Sequence, residues 1–258
     1  MSTILFTKEG SIGKIVLNRP EVYNSFNREM ALNFQSYLDD CAEDENIRAI
    51  FLTGNGKAFS AGQDLQEIIA DNGLNITKIL AEHYNPIIQR LRAIEKPIIC
   101  AVNGVAAGAA ANIAFACDIT ISSTKASFIQ AFSKIGLIPD SAGTYTLPRL
   151  IGMQKATALM MLGEKVSAEQ AVEMGMIYAC HAPEDFETEA WKIAEILAKM
   201  PTIGLGLTKR ALNQSLSNDL EAQLALEVEL QTAAGETYDY NEGVQAFLEK
   251  RKPEFKGK

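Results

Sequence analysis

The sequence predicts an α/β fold in which helices cover sheets, ending in a helical region. Three observations predict it. Up to Asp140, short apolar runs bounded by turn residues alternate with stretches of helical period. These runs recur in a strand–strand–helix order, which favours separate sheet and helix layers. Beyond Ser141 the pattern becomes mostly helical. Periodicity alone does not say whether the sheets stack as a spiral or lie in one plane.

Taken in order, Gly13-Lys14-Ile15-Val16-Leu17-Asn18 reads as a strand that ends at Arg19-Pro20. Asn27 can cap a helix whose Met30, Phe34, Leu38 and Cys41 share one face. Residues 47 to 53 form a second strand, stopped by Gly54-Asn55-Gly56. Pro97-Ile98-Ile99-Cys100-Ala101-Val102 reads as a buried strand, and Ile119-Thr120-Ile121-Ser122 as another. Ser167 with Gln170 is a capping-box signature before Ala171-Val172-Glu173-Met174. Pro201 marks a boundary, followed by helical stretches through Lys209-Arg210-Ala211-Leu212, then 220 to 234, then 242 to 251. Leu220, Leu224, Val228 and Leu230 make an apolar face that suits a core or a subunit interface.

The 258 residues, 47% hydrophobic and 22% charged, suffice for one large core with or without an appendage. The net charge of -8 argues against a general nucleic-acid binder, whose affinity comes from neutralising phosphates. A polyphosphate ligand needs only a local basic patch. Lys250-Arg251-Lys252 with Lys256 and Lys258 is one, unless it is a solvated tail. Cys41, Cys100, Cys117 and Cys180 show no CxxC spacing and read as reduced residues of a cytoplasmic protein. The two histidines, His83 and His181, neighbour no metal-like cluster, so no metal is expected. The N-terminal residues do not read as a signal peptide, and no apolar run nears the ~18 residues of a membrane span.

Three segments carry the candidate chemistry. Two are small-residue loops, Phe59-Ser60-Ala61-Gly62-Gln63-Asp64-Leu65 and Val102-Asn103-Gly104-Val105-Ala106-Ala107-Gly108-Ala109-Ala110-Ala111-Asn112. Such loops let backbone approach a ligand closely, although residues 106 to 111 also suit a tightly packed core helix. Asp64, three residues before Glu67, reads as a helix N-cap. The third segment, Lys134-Ile135-Gly136-Leu137-Ile138-Pro139-Asp140-Ser141-Ala142-Gly143-Thr144, places a carboxylate at the end of an apolar run. Asp140 can cap the helix that follows, or serve as a desolvated base of raised pKa beside Ile138 and Pro139. Phe132, Phe128, Tyr84 and Tyr145 can line an aromatic-accepting pocket or be plain core.

Together these segments resemble the active site of the crotonase (enoyl-CoA hydratase/isomerase) superfamily. The resemblance runs nearly end to end, from Leu17-Asn18-Arg19-Pro20 through Ala131-Phe132-Ser133-Lys134-Ile135-Gly136-Leu137-Ile138-Pro139-Asp140 to Gly243-Val244-Gln245-Ala246-Phe247-Leu248-Glu249-Lys250-Arg251. It implies a spiral of repeated ββα units over residues 1–200 and a C-terminal helical trimerisation region over 201–258. It implies a thioester enolate held by the backbone amides of Gln63 and Ala109, two donors aimed at the developing oxyanion. Many relatives carry glycine at Ala109, whose N–H remains usable if its φ is negative.

In the hydratases of this family two glutamates fall where this chain has Asn112 and Phe132, so the resemblance implies an isomerase with Asp140 as its one acid/base. For the acyl-CoA substrate it points to Arg19, Val22, Asn24, Ser60, Ala61, Asp64, Leu65, Gly108 and Phe132, and to Phe247 and Lys250 reaching over from a neighbouring subunit. The implied partner is a second copy of the chain, as a homotrimer or a dimer of trimers, with no cofactor beyond the coenzyme A of the substrate. Within the family the chain resembles a subgroup acting on a ring epoxide of phenylacetyl-CoA, at Tyr84-Asn85-Pro86 and Pro201-Thr202-Ile203-Gly204-Leu205-Gly206-Leu207 among other places. Generic Δ3,Δ2-enoyl-CoA isomerisation uses the same residues. Dehalogenation at such a site needs a Trp in an aromatic clamp, and the single Trp191 lies in a distal helical stretch. A non-catalytic scaffold or RNA-binding role is the alternative from another class.

Overall fold

Strand β1 (Ile4–Glu9) turns at Gly10 and pairs antiparallel with β2 (Ile12–Leu17) in a computed structural model that describes residues 2–70 and 75–258. Asn27 caps α1 (Arg28–Glu43) by accepting the Met30 N–H at 2.9 Å. That helix buries Met30, Phe34, Leu38 and Cys41, as its 3.6-residue period requires.

A repeating unit follows. β3 (Ala49–Gly54) and β4 (Ala58–Ser60) lead into α2 (Leu65–Ala70) and α3 (Ile76–Ile79), after which a π-helical turn over Leu80–Tyr84 runs into α4 (Asn85–Ala93). β5 (Ile98–Val102) and β6 (Val105–Ala107) lead into α5 (Ala109–Ala116). β7 (Ile119–Ser123) and β8 (Ser127–Ile129) lead into a 3-10 turn over Ala131–Ile135. The first strand of each unit joins one sheet and the second joins another. The six-stranded sheet has the order β1-β2-β3-β5-β7-β10 and is parallel beyond its first pair. The four-stranded sheet, β4-β6-β8-β9, is parallel across β4, β6 and β8. This winding is the spiral that periodicity left open.

The rest is helical: α6 (Gly143–Ile151), α7 (Met153–Leu162), α8 (Ala168–Glu173) with the expected capping box at Ser167, α9 (Pro183–Leu197), α10 (Thr202–Ser215), α11 (Leu220–Gly235) and α12 (Tyr238–Glu249). Two strands interrupt it, β9 (Lys165–Ser167) and β10 (Ala179–His181). Each is three residues long, too short for alternation to reveal.

The large sheet is covered on both faces, so its strands read as continuous apolar runs. Ile50 and Leu52 of β3 point into the main core with Phe34, Leu38 and Phe59. Ala49 and Phe51 point the other way, against Ala190 and Ala194 of α9. Trp191 meets the Phe51 ring edge-on at 5.1 Å, which makes it part of this second core and of no ligand clamp.

The C-terminal helices are tied to the spiral by polar contacts. Lys209, 6% exposed, pairs with Asp118 at 2.8 Å, and Arg92 reaches both Asp118 and Asn213. Arg48 donates to the carbonyls of Met200 and Phe255 and to the Thr202 hydroxyl. On α11, Leu220, Leu224 and Val228 are exposed and Leu230 is buried, so the first three form a face with no covering in the single chain. Among the described residues, no helix is long and apolar enough to cross a membrane.

Candidate active site

The parallel pairing of β4, β6 and β8 brings the loops that leave their C-terminal ends side by side, the position where open α/β sheets bind ligands. The first loop, Ala61 to Asp64, runs alongside Phe26. The Phe26 N–H donates to the Gly62 carbonyl at 2.7 Å, and the Asp64 N–H donates to the Phe26 carbonyl at 2.9 Å. In this extended pairing the intervening Gln63 N–H faces away from Phe26.

Gly62 has φ +88°, and a Cβ built there would stand 2.8 Å from the Ala107 carbonyl oxygen and 3.7 Å from the Ala109 nitrogen. Only glycine fits, by conformation and by space. The approach sets Gln63 beside the start of α5, where Gly108 (φ 55°) caps the helix and Ala109 is its first residue. The φ of Ala109 is negative, which preserves its N–H as a donor. Among the described residues, neither the Gln63 nor the Ala109 N–H donates to a protein group. The dipole of α5 adds to the positive potential there.

Asp140 lies on the segment between the 3-10 turn and α6. It does not cap α6: the helix starts at Gly143, after Ser141 and Ala142 in the left-handed region, and no side chain caps it. Burial holds the Asp140 carboxyl above the ordinary aspartate range, against the opposing pull of the Ser141 hydroxyl, which donates to Oδ1 at 2.8 Å. Ile138 is not the source of that desolvation, since it is 81% exposed. The source is the wall of a cavity.

That cavity encloses about 240 Å³. The expected residues Ala61, Gly62, Gln63, Leu65, Gly108, Ala109, Phe132 and Asp140 all line it. The remaining wall is mostly apolar, with Ile76, Ile79, Leu80, Ile135 and Leu137. Tyr84, at the end of the π-helical turn, is 1% exposed and donates its hydroxyl to Gln63 Oε1 at 3.0 Å. Burial pushes its phenol well up, and the carboxylates of Asp140, Glu67 and Asp64 push the same way, so it stays a neutral donor. The Gln63 side chain in turn donates to Glu67. Sequence reasoning had Tyr84 as a candidate lining residue but had no signal for this pairing.

Other expected residues lie elsewhere. The Ser60 hydroxyl is fully buried beneath the loop, donating to the Asn24 carbonyl and accepting the Gly62 N–H. Asn24 is fully buried at φ 53°, its side chain donating to the carbonyls of Asn55 and Ala58. Arg19 was expected to meet ligand phosphates. Its guanidinium instead turns inward, to the Ser25 carbonyl and to Asp64 at 3.0 Å, because the loop that follows β2 closes over it. Asp64 also accepts the Gln66 N–H, in keeping with a capping role. Val22 is half-buried at the end of a 3-10 turn. Phe247, 83% exposed, and Lys250 lie at the end of α12 and do not line the cavity of this chain. Of the other aromatics, Phe128 packs on Phe115 at 5.4 Å in the core, and Tyr145 is exposed beneath Arg149.

Asn112 and Phe132 bring no acid to the cavity. Asn112 is fully buried with its amide hydrogen-bonded, and Phe132 presents an apolar ring. The arrangement therefore offers two free N–H donors at one end, one carboxylate of raised pKa, and an apolar wall broken by a phenol. It can hold a developing oxyanion and move a proton on the carbon skeleton attached to it.

The profile of the enoyl-CoA hydratase/isomerase family matches residues 7–258. The 1,2-epoxyphenylacetyl-CoA isomerase of Escherichia coli K12 is 46% identical over the whole of both chains. The trans-2-decenoyl-[acyl-carrier-protein] isomerase of Streptococcus mutans is 38% identical, covering 99% of this chain and 98% of its own. A crystal structure of an enoyl-CoA hydratase from Bacillus anthracis superposes with a TM-score of 0.92 at 33% identity, over 99% of this chain and all of the other.

The desolvated carboxyl sets a stability test that does not depend on turnover. With its pKa raised in the folded state, Asp140 contributes stability that is full below the unfolded carboxylate range and lost as pH rises through the folded pKa. Asp140→Asn should therefore melt above the unsubstituted protein at neutral pH. The gap should close as pH falls towards the ordinary aspartate range. Thermal melts across that range check it, and a gap independent of pH would contradict the desolvation.

Proposed function

The chain belongs to the enoyl-CoA hydratase/isomerase family, and we propose that it isomerises an acyl-CoA thioester through an enolate, with Asp140 as the proton carrier. The observation that carries this reading is the single carboxylate among the cavity's described lining residues, which also supply the unpaired N–H groups of Gln63 and Ala109. Those amides hold the thioester oxygen as negative charge develops on it. Removing one such donor typically costs about a hundredfold or more in rate. Asp140 takes a proton from one carbon and returns it to another, which is all that a double-bond shift requires. The reaction calls for no cofactor, since coenzyme A belongs to the substrate.

For the acyl group we propose the ring-1,2-epoxide of phenylacetyl-CoA, rearranged to its seven-membered oxepin thioester in phenylacetate catabolism. The supporting observation is the 46%-identical relative that carries this activity in its name. A straight-chain 3-enoyl-CoA is the second reading, favoured by the 38%-identical decenoyl isomerase. The chain itself is proposed to work as a homotrimer or a pair of trimers. The exposed Leu220, Leu224 and Val228 of α11 support this, as does Phe247 at the end of α12. A non-catalytic role leaves the cavity carboxylate without a purpose.

Three outcomes are expected. Asp140→Asn should lose isomerase activity by about a hundredfold to ten-thousandfold while binding a saturated acyl-CoA as before; near-normal turnover would remove Asp140 from the mechanism. One preparation should turn over both the ring epoxide and a 3-enoyl-CoA, with the larger specificity constant for the epoxide, and should hydrate a 2-enoyl-CoA negligibly. Failure on the epoxide alone would place the chain with the straight-chain isomerases, and rapid formation of a 3-hydroxyacyl-CoA would overturn the isomerase reading. Light scattering should give three or six chains per particle, and a stable monomer would exclude the trimer.

A further inference from the structure

We infer that Asn112, braced by Gln130, is a positioning residue for Asp140: its amide holds the peptide of the acid in the turn that aims the carboxylate into the cavity. This rests on the reading of Asp140 as the proton carrier. Asn112 lies on α5, one turn beyond Ala109, and is fully buried. Its Nδ2 donates to the Asp140 carbonyl at 2.8 Å, and its Oδ1 accepts from Gln130 Nε2 at 2.8 Å. The Gln130 donor fixes which way the Asn112 amide faces.

The turn needs holding. Ser141 and Ala142 are consecutive non-glycine residues at φ 49° and 58°, a sparsely populated conformation that persists where surroundings over-determine it. Apart from the N–H groups of α6, into which the turn leads, Asn112 Nδ2 is the one hydrogen-bond donor to the backbone of residues 138–142 among the described residues. The Gly143 N–H, which closes the turn, donates to the same Asp140 carbonyl at 2.8 Å. Gly143 also packs flat on the Asn112 amide, where a Cβ would stand 2.3 Å from Nδ2. The amide is thus wedged between α5 and the start of α6, with the acid's peptide across its donor edge.

The residue type matters as well as the contact. The site calls for a donor on one edge and an acceptor on the other, and a side-chain amide supplies both. A carboxylate has no donor for the Asp140 carbonyl when ionised. In this chain, then, the position at which hydratases of the family carry a glutamate is not left idle. It is converted from a proton-transfer site into a brace for the remaining acid.

Two variants test this, compared with the unsubstituted protein. Asn112→Ala removes the donor. Gln130→Met leaves Asn112 in place and adds no charge near Asp140, but removes the donor that fixes the Asn112 amide, which is then free to rotate away from the Asp140 carbonyl. Gln130 does not itself line the cavity, and its one side-chain hydrogen bond among the described residues goes to Asn112. The direct readout is the titration of Asp140 followed by carboxyl carbon NMR in full-length protein labelled at aspartate, its signal identified by its absence in Asp140→Asn. Tyr84 and Lys134 are the other titratable side chains among the described residues lining the cavity and are unchanged in all samples.

Release of the turn should admit water to the carboxyl and lower its titration midpoint in both variants. With a 3-enoyl-CoA, kcat should fall by about a hundredfold, the scale of a 1 Å misplacement, while the Kd of a saturated acyl-CoA stays within about threefold, as befits a group that positions the acid without holding the ligand. Should Asn112→Ala fail to fold, Gln130→Met carries the test. An unchanged Asp140 midpoint in a folded variant, or a lowered melting temperature with kcat per folded enzyme intact, would overturn the inference. Because the titration does not require turnover, it still judges the brace if Asp140→Asn proves active and the proton-carrier reading fails.

Discussion

The functional face depends on one backbone contact, the approach of Gly62 to Ala107. Parallel pairing of β4 and β6 would bring two loops near each other in any such sheet, but a side chain at position 62 would hold them apart. With glycine there, the Gln63 amide meets the first turn of α5. Phe26 then holds the outer loop by hydrogen bonds on both sides of Gln63, so its N–H is directed by main chain and not by the Gln63 side chain. From that junction α5 works as a ruler. Its first residue supplies one N–H, and three residues on, Asn112 meets the peptide of Asp140. The Ala109 donor and the acid are spaced by a single rigid helix, which holds geometry better than separate loops would.

Much of this was legible because it is local or periodic. The Asn27 cap, the Ser167 capping box and the apolar face of α1 follow from side chains a few residues apart. The two small-residue loops and Asp140 were legible as an ordered set, and the structure gathers them around one cavity. What escaped depends on chain folding over itself. Nothing in residues 165–167 or 179–181 distinguishes a three-residue strand from a loop until a neighbouring strand offers its edge. Arg19 reads as a free cation until Asp64, 45 positions later in the chain, comes within 3.0 Å. Ile138 reads as a desolvating neighbour of Asp140, yet its side chain is left 81% exposed by the fold.

The electrostatics of the cavity follow from having one acid, Asp140, among its described lining residues. Burial disfavours the charged form of Asp140 and makes it a better base when it is charged, while the Ser141 hydroxyl limits how far that goes. A second carboxylate close by would push both groups towards sharing a proton. Such a site suits a reaction in which water is activated and a proton delivered separately. One carboxylate moving a proton between two carbons needs neither the second group nor the water. The packing agrees with the chemistry. Gly143 lies so close to the Asn112 amide that a longer acidic side chain there would have to displace the start of α6, and with it the turn that carries Asp140.

The same reasoning bears on how a thioester of coenzyme A is held. The cavity accounts for the reacting end of such a ligand, and Lys134 is the one cation among its described lining residues. Arg19 is committed to Asp64, and Asn24 to the carbonyls beneath its own loop. On the proposed acyl-CoA reading, charge for the phosphates would then come from beyond the described residues gathered around the cavity. The end of α12 has what is required: Lys250 as an exposed cation in a left-handed C-cap and Phe247 as an exposed ring, both away from the cavity of their own chain. The apolar face on α11 and the exposed Phe247 ring near the end of α12 are costly features for a lone chain in water. Both make sense together if neighbouring copies bury the first and borrow the second, so that assembly and substrate binding are met by the same contact.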